Sequence, residues 1–129
     1  MNVLDEHIPV EQRQLLNRWR IPVRHIGYDA GRKGMKDDEI IPFLRRLRYP
    51  TFFTLDSGFY DRRMCHERYC LVRMDVHEDE AASFTRRVLG HPQFDTQAKR
   101  MGAVVRISRK GIWVWHLHVE KEMQHNWHK

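Results

Sequence analysis

Short β-rich apolar runs alternate with amphipathic segments along this chain, and an aspartate stands where several of them change type. Such alternation calls for a mostly parallel sheet covered by helices on both faces, because parallel neighbours must be joined by crossover connections. Val3 and Leu4 form an apolar opening that stops at Asp5 and Glu6, and Pro9 follows, a residue suited to the first turn of a helix. The pattern predicts a strand, then Asp5, then a helix over residues 9–19 with Leu15, Leu16 and Trp19 on its buried side. Residues 21–26 read as a second strand and 27–34 as a polar, glycine-containing loop. Asp37 then opens a helix in which Ile40, Phe43, Leu44 and Leu47 recur at i, i+3, i+4 and i+7. Residues 51–55 are an apolar run without period, a buried strand, which ends at Asp56 and the breaker Ser57-Gly58.

A loop rich in Arg and Asp covers residues 56–68, and a strand is predicted over 69–76. The acidic stretch 77–80 suits the first turn of a helix, in which Ala81, Phe84, Val88 and Leu89 share a face and which ends at Gly90-His91-Pro92. Residues 102–108 and 112–119, joined by Arg109-Lys110-Gly111, read as a C-terminal β-hairpin. The tail from 120 to 129 is predicted to add a short helix or to fray. The expected fold is a three-layer αβα sandwich around a mostly parallel sheet, with residues 1–129 in one domain. In such folds ligands bind outside the carboxyl ends of the strands, where Asp5 and Asp56 are expected.

At 129 residues the chain suffices for one core and not for two domains of ordinary size. Its 23 Lys and Arg against 17 Asp and Glu give a net charge of +6, which favours a polyanionic partner, with a membrane surface as the weaker version of the same reading. Individual arginine pairs also read as solvated helix faces. The cysteines, Cys65 and Cys70, fit neither a zinc framework nor a CxxC redox motif, so reduced thiols and a cytoplasmic location are expected. The sequence shows no signal-peptide pattern and no apolar stretch approaching the roughly 20 residues of a membrane span.

Three segments carry a resemblance to a known family. Leu4-Asp5-Glu6-His7-Ile8-Pro9 is similar to the opening LDEnlP of the compact PIN-like nucleases, Gly34-Met35-Lys36-Asp37-Asp38-Glu39-Ile40-Ile41 to their GxxDeeIl, and Thr54-Leu55-Asp56-Ser57-Gly58-Phe59 to their TxDxDF. Order and spacing match over roughly the first 75 residues. The resemblance implies a PIN-like fold and a Mg²⁺- or Mn²⁺-dependent endoribonuclease, which in this family is often the toxin of a toxin-antitoxin pair held by a small antitoxin protein. It implies that Asp5, Asp37 and Asp56 are the catalytic metal ligands and that water is the nucleophile. One departure stands out: Gly58 occupies the place of a second acid in TxDxDF, with Glu6, Asp38 or Asp61 as candidates to replace it.

Phosphodiester hydrolysis needs an activated water, in-line geometry and neutralised phosphate charge, all of which carboxylate-held hard cations supply. Arg62, Arg63 and Arg68, close after Asp56, are candidates for gripping RNA phosphates with their planar forks. Each aspartate also has a plain reading as a helix cap or turn residue. Two other functions stay open: a catalytically degenerate PIN-like module that binds RNA or protein, and a receiver-like phosphoacceptor domain with Asp56 as acceptor. His116 and His118 would share a strand face, with His125 and His128 beyond, but without a neighbouring Cys or carboxylate they read as surface or interface residues. Cys65-His66 reads as structural. Trp113, Trp115 and Trp127 could stack bases, yet alternate tryptophans on a strand more often pack a core or a homodimer interface.

Overall fold

A computed structural model describes residues 1–127. Its sheet has seven strands in the order β2-β1-β3-β4-β5-β6-β7: β1 Asn2–Leu4, β2 Arg24–His25, β3 Thr51–Thr54, β4 Cys70–Met74, β5 Ala103–Ser108, β6 Gly111–His116 and β7 Met123–His125. The first five strands pair in parallel, and β5, β6 and β7 pair antiparallel. The helices are α1 Val10–Arg18, α2 Asp37–Arg46, α3 Ala81–Gly90 and the single turn α4 Gln97–Arg100.

Alternation along the strands sorts the core into two layers. Leu4, Phe53, Val72, Val105 and Val114 point to one face and meet Leu16 of α1 and Phe84 and Val88 of α3. Val3, Phe52, Leu71 and Val104 point to the other and meet Ile40 and Leu44 of α2 together with Phe59 and Tyr69 from the 57–69 connection. The result is a three-layer α/β architecture. Phe53 has no exposed surface at the centre of the first layer. Phe53→Ala is expected to cost about 3–5 kcal/mol through lost burial and the cavity left behind, read as a lower urea midpoint at unchanged m-value.

Some boundaries differ from the sequence expectation. Strand β2 keeps only two residues of the predicted run 21–26, because Pro22 carries no N–H for a ladder and Ile26 turns into an isolated bridge with Ala30. The tail forms no helix among the described residues; Met123–His125 instead adds β7 by pairing with Ile112–Val114. Strand β6 ends at His116, and His118 takes a left-handed φ of 67°, so the two histidines are not strand neighbours. His128 lies outside the described residues. Both cysteines are free thiols. Burial pushes the Cys70 thiol up to about 12 and raises that of Cys65, whose Sγ donates to the Trp115 carbonyl at 3.4 Å. No described helix is long and apolar enough to cross a membrane.

Candidate acidic site at the carboxyl edge

The strand order makes the edge between β1 and β3 a special place. From β1 the chain crosses outward to β2 and then returns past β1 to β3, so connections leave this point in opposite directions, the place where open α/β sheets form their crevice at the carboxyl ends. Asp5 directly follows β1, and Asp56 stands two residues beyond β3. Asp37 is the first residue of α2, the helix that makes the return crossing.

The aspartates are held differently. Asp5 is only 7% exposed. Its Oδ2 accepts the Thr54 hydroxyl at 2.6 Å and its Oδ1 accepts the Glu6 N–H at 2.8 Å. The same Thr54 oxygen accepts the Asp56 N–H at 3.0 Å, so one hydroxyl ties the Asp5 carboxylate to the backbone of Asp56. Asp56 is exposed, and its Oδ1 accepts the Gly58 N–H at 2.8 Å, which starts the 3-10 turn Ser57–Phe59. Asp37 is not the N-cap of α2. Lys36 holds that position, where Glu39 Oε1 accepts its N–H at 3.1 Å, and the Asp37 carboxyl is left to face its neighbours.

Asp37 feels both partners. Its pKa is raised from 3.8, first by desolvation, then by the charges of Asp56 and Asp5, with a side-chain contact to Asp56 and a further push from Asp38. A Cβ built on Gly58 would stand 3.2 Å from Asp56 Oδ1 and 3.7 Å from Asp37 Oδ2, which places the Gly58 backbone beside both carboxyls. None of the three aspartates joins an ion pair among the described residues. No group of three or more His, Cys, Asp or Glu side chains there stands ready-made around a cation position.

Linkage fixes the sign of the pH effect. A carboxyl whose folded pKa is raised binds its proton more tightly in the native state, so its contribution is fully present below the unfolded value and is lost as pH rises through the folded one. Asp37→Asn is therefore expected to remove this loss and to flatten the metal-free stability profile above the ordinary aspartate value, with no effect at lower pH. Thermal melts across that range in EDTA check it; an unchanged profile would remove Asp37 from the cluster.

The other sequence candidates are placed elsewhere or engaged. Glu6 Oε1 accepts the Gly34 N–H at 2.8 Å, which anchors the loop before α2. Asp38 is exposed and acts on Asp37 only through its charge. Asp61 caps the next 3-10 turn and pairs with Arg63 at 2.8 Å, and the Arg63 bonds hold its carboxyl below the usual range. The 57–69 connection runs back over the sheet toward the amino ends. Arg68 consequently lies over Tyr49, just before β3, and Arg62 over Trp115, 5.8 and 5.1 Å from the ring centres. The structure thus does not gather Arg62, Arg63 and Arg68 on the carboxylates.

Thr54 enters the sequence reading only as part of a motif; that its hydroxyl links two strands follows from the register of β1 on β3, which no local pattern states. Arg73 and Arg106 are not among the residues that the sequence singles out for the site. They pair in register with each other, and Arg73 pairs with Thr54, so all three share one row of the sheet. No protein-family model, curated protein or solved structure matches this chain.

Proposed function

We propose that this chain is a metal-dependent ribonuclease of PIN-like type that hydrolyses RNA phosphodiesters. The single observation that carries the reading is the convergence of Asp5, Asp37 and Asp56, from three separate elements, on the crevice between β1 and β3. The resemblance of their three segments to the PIN-like motifs and the net charge of +6 point the same way.

The donor set fits a hard cation. Asp37, whose pKa the charges of Asp56 and Asp5 help to raise, joins no ion pair among the described residues, and a divalent ion relieves such a carboxyl. Mg²⁺ keeps most of its waters and needs only one or two protein carboxylates plus substrate oxygens. Asp5 would be the fixed ligand, held by Thr54, while the exposed Asp37 and Asp56 side chains swing toward it. When bound, the ion supplies charge neutralisation at the phosphate and an acidified water. The chain's part is to hold the Asp5 carboxylate and the Asp56 backbone in fixed relation through Thr54 and to bring Asp37 in on the end of α2. A small antitoxin partner belongs to this reading through the resemblance.

A receiver-like phosphoacceptor is the second reading, because the order 2-1-3-4-5 of the parallel strands is also that of receiver domains. It leaves the contact of Asp37 with Asp56 without a role, and acetyl phosphate labelling of Asp56 would favour it. The test of the first reading is cleavage of a mixed single-stranded RNA by the purified chain with Mg²⁺ or Mn²⁺, against the same reaction in EDTA. Cutting that EDTA stops supports the nuclease; no cutting by folded protein turns the reading to a degenerate module that binds without hydrolysis.

A further inference from the structure

A groove of about 680 Å³ opens at the same edge of the sheet, two strands away from the aspartates, lined by Arg106, Arg109, Lys110 and Trp113 together with Asp75 and Glu80. We propose that this groove holds the backbone phosphates of the single-stranded RNA on one side of the cut, with Arg106 and Lys110 as the phosphate-binding residues. The inference rests on the nuclease reading for its direction along the strand, but the groove stands on its own geometry.

Register supports this first. Thr54, Arg73, Arg106 and Trp113 are successive partners across β3, β4, β5 and β6, and partners in register point to the same face. The row begins at Thr54, the residue that holds Asp5, and reaches Arg106 after two strand spacings, about 10 Å. Thr54 is fully buried and the Arg73 side chain largely so, so the row sets the spacing, and phosphates that pass outside it along the carboxyl ends of the strands meet the carboxylates at one end and the Arg106 guanidinium at the other.

The state of the charges supports it independently. Arg109 pairs with Glu80, and Arg73 pairs with Asp75 at 3.2 Å while its buried Nε has no hydrogen-bond partner. Arg106 and Lys110 have no carboxylate partner among the described residues. The Arg106 guanidinium lies 4.2 Å from the Trp113 ring centre and 5.5 Å from that of Tyr60. Stacking against rings fixes the plane of an Arg while leaving its N–H edge for a bidentate phosphate. Tyr60 is itself held by a hydrogen bond to Glu122. This is a preorganised anion grip, unlike Arg63, which is spent on Asp61.

The test is fluorescence anisotropy of an end-labelled, unstructured RNA oligonucleotide with the full chain in EDTA, where no cleavage intervenes. Arg106→Gln with Lys110→Gln should weaken binding at least tenfold and reduce the slope of log K against log salt by about 1.4, from two phosphate contacts at roughly 0.7 each. The matched pair Arg46→Gln with Arg48→Gln, both exposed on and after α2, should leave the slope within error of wild type. Lys110→Gln alone, on the exposed β5–β6 turn, should give half the slope change without any risk to the sheet. Wild-type binding and slope in the double variant, equal losses in the control pair, or no RNA binding by wild type would each overturn the groove. Metal-dependent cleavage retained alongside any of those results would leave the nuclease reading standing, whereas intact groove-dependent binding without cleavage would sink the nuclease alone.

Discussion

Replacing Asp5 and Asp56 together by asparagine is expected to lower metal-dependent RNA cleavage by at least a hundredfold while leaving metal-free stability unchanged or raised. The loss follows because removing even outer partners of a metal site typically costs 10–100-fold, and here two of three candidate ligands go. The stability follows from the charges. Asp5 and Asp56 both raise the Asp37 pKa, so the ionised cluster opposes folding, and neutralising two members relieves the third. Two of the three hydrogen bonds are retained, since an Asn carbonyl still accepts the Glu6 N–H at position 5 and the Gly58 N–H at position 56, while toward Thr54 the bond reverses and the Asn amide donates to the hydroxyl oxygen. A functional site built at the expense of stability behaves in this way, whereas a set of capping residues would show the reverse. Cleavage gels and melts with and without Mg²⁺ check both halves: wild type should gain Tm with Mg²⁺ by mass action, and the variant should not. A variant that melts lower and cuts as well as wild type would return the aspartates to capping and turn roles.

The elements that could be read from the sequence are those whose local pattern and tertiary setting agree. Helix α2 is one: Ile40 and Leu44 are buried and Phe43 and Leu47 half-buried, as their spacing requires. Residues 51–54 are another, wholly buried and flanked by parallel strands, so no alternation was to be seen. Strand β7 had no such signal. Met123-Gln124-His125 has no apolar alternation and is exposed except for the half-buried His125, and it is a strand only because β6 offers it an edge. The short α4 was equally silent, a single turn set by the Thr96 side chain accepting the Lys99 N–H at 3.2 Å.

The same distinction divides the candidate site. Asp5, Asp37 and Asp56 could be picked out because each terminates or starts an element, and chain ends of parallel strands collect at one edge. The arginines could not be chosen by that rule. Residues 62, 63 and 68 are near Asp56 along the chain, but their connection must travel back to the amino end before β4 can run parallel to β3. Arg73 and Arg106 are farther along the chain and nearer in the sheet, because register across β3, β4 and β5 brings them into the row of Thr54. Sequence distance ranks loop residues first, and parallel topology inverts that ranking.

Gly58→Asp is expected to tighten Mn²⁺ binding by about tenfold or more and to raise cleavage at low metal concentration. The reason is geometric. Position 58 has no left-handed φ, and a Cβ there points between Asp56 Oδ1 and Asp37 Oδ2, at 3.2 and 3.7 Å. The closer of the two contacts is tight but involves the end of an exposed side chain, which can give way. A carboxylate at this position therefore extends into the cluster as a fourth oxygen donor, the place where the resembling motif carries its second acid. Without metal the added charge should push the Asp37 pKa further up, so the variant should melt lower than wild type in EDTA above the ordinary aspartate range. With saturating Mn²⁺ the order should invert, since a tighter ion stabilises only the native state. Gly58→Asn separates charge from bulk: it should share the steric cost and none of the gain. Calorimetric titration of Mn²⁺ against wild type and the two variants reads the affinities directly, and equal affinities for all three chains would show that the crevice between β1 and β3 does not bind the ion.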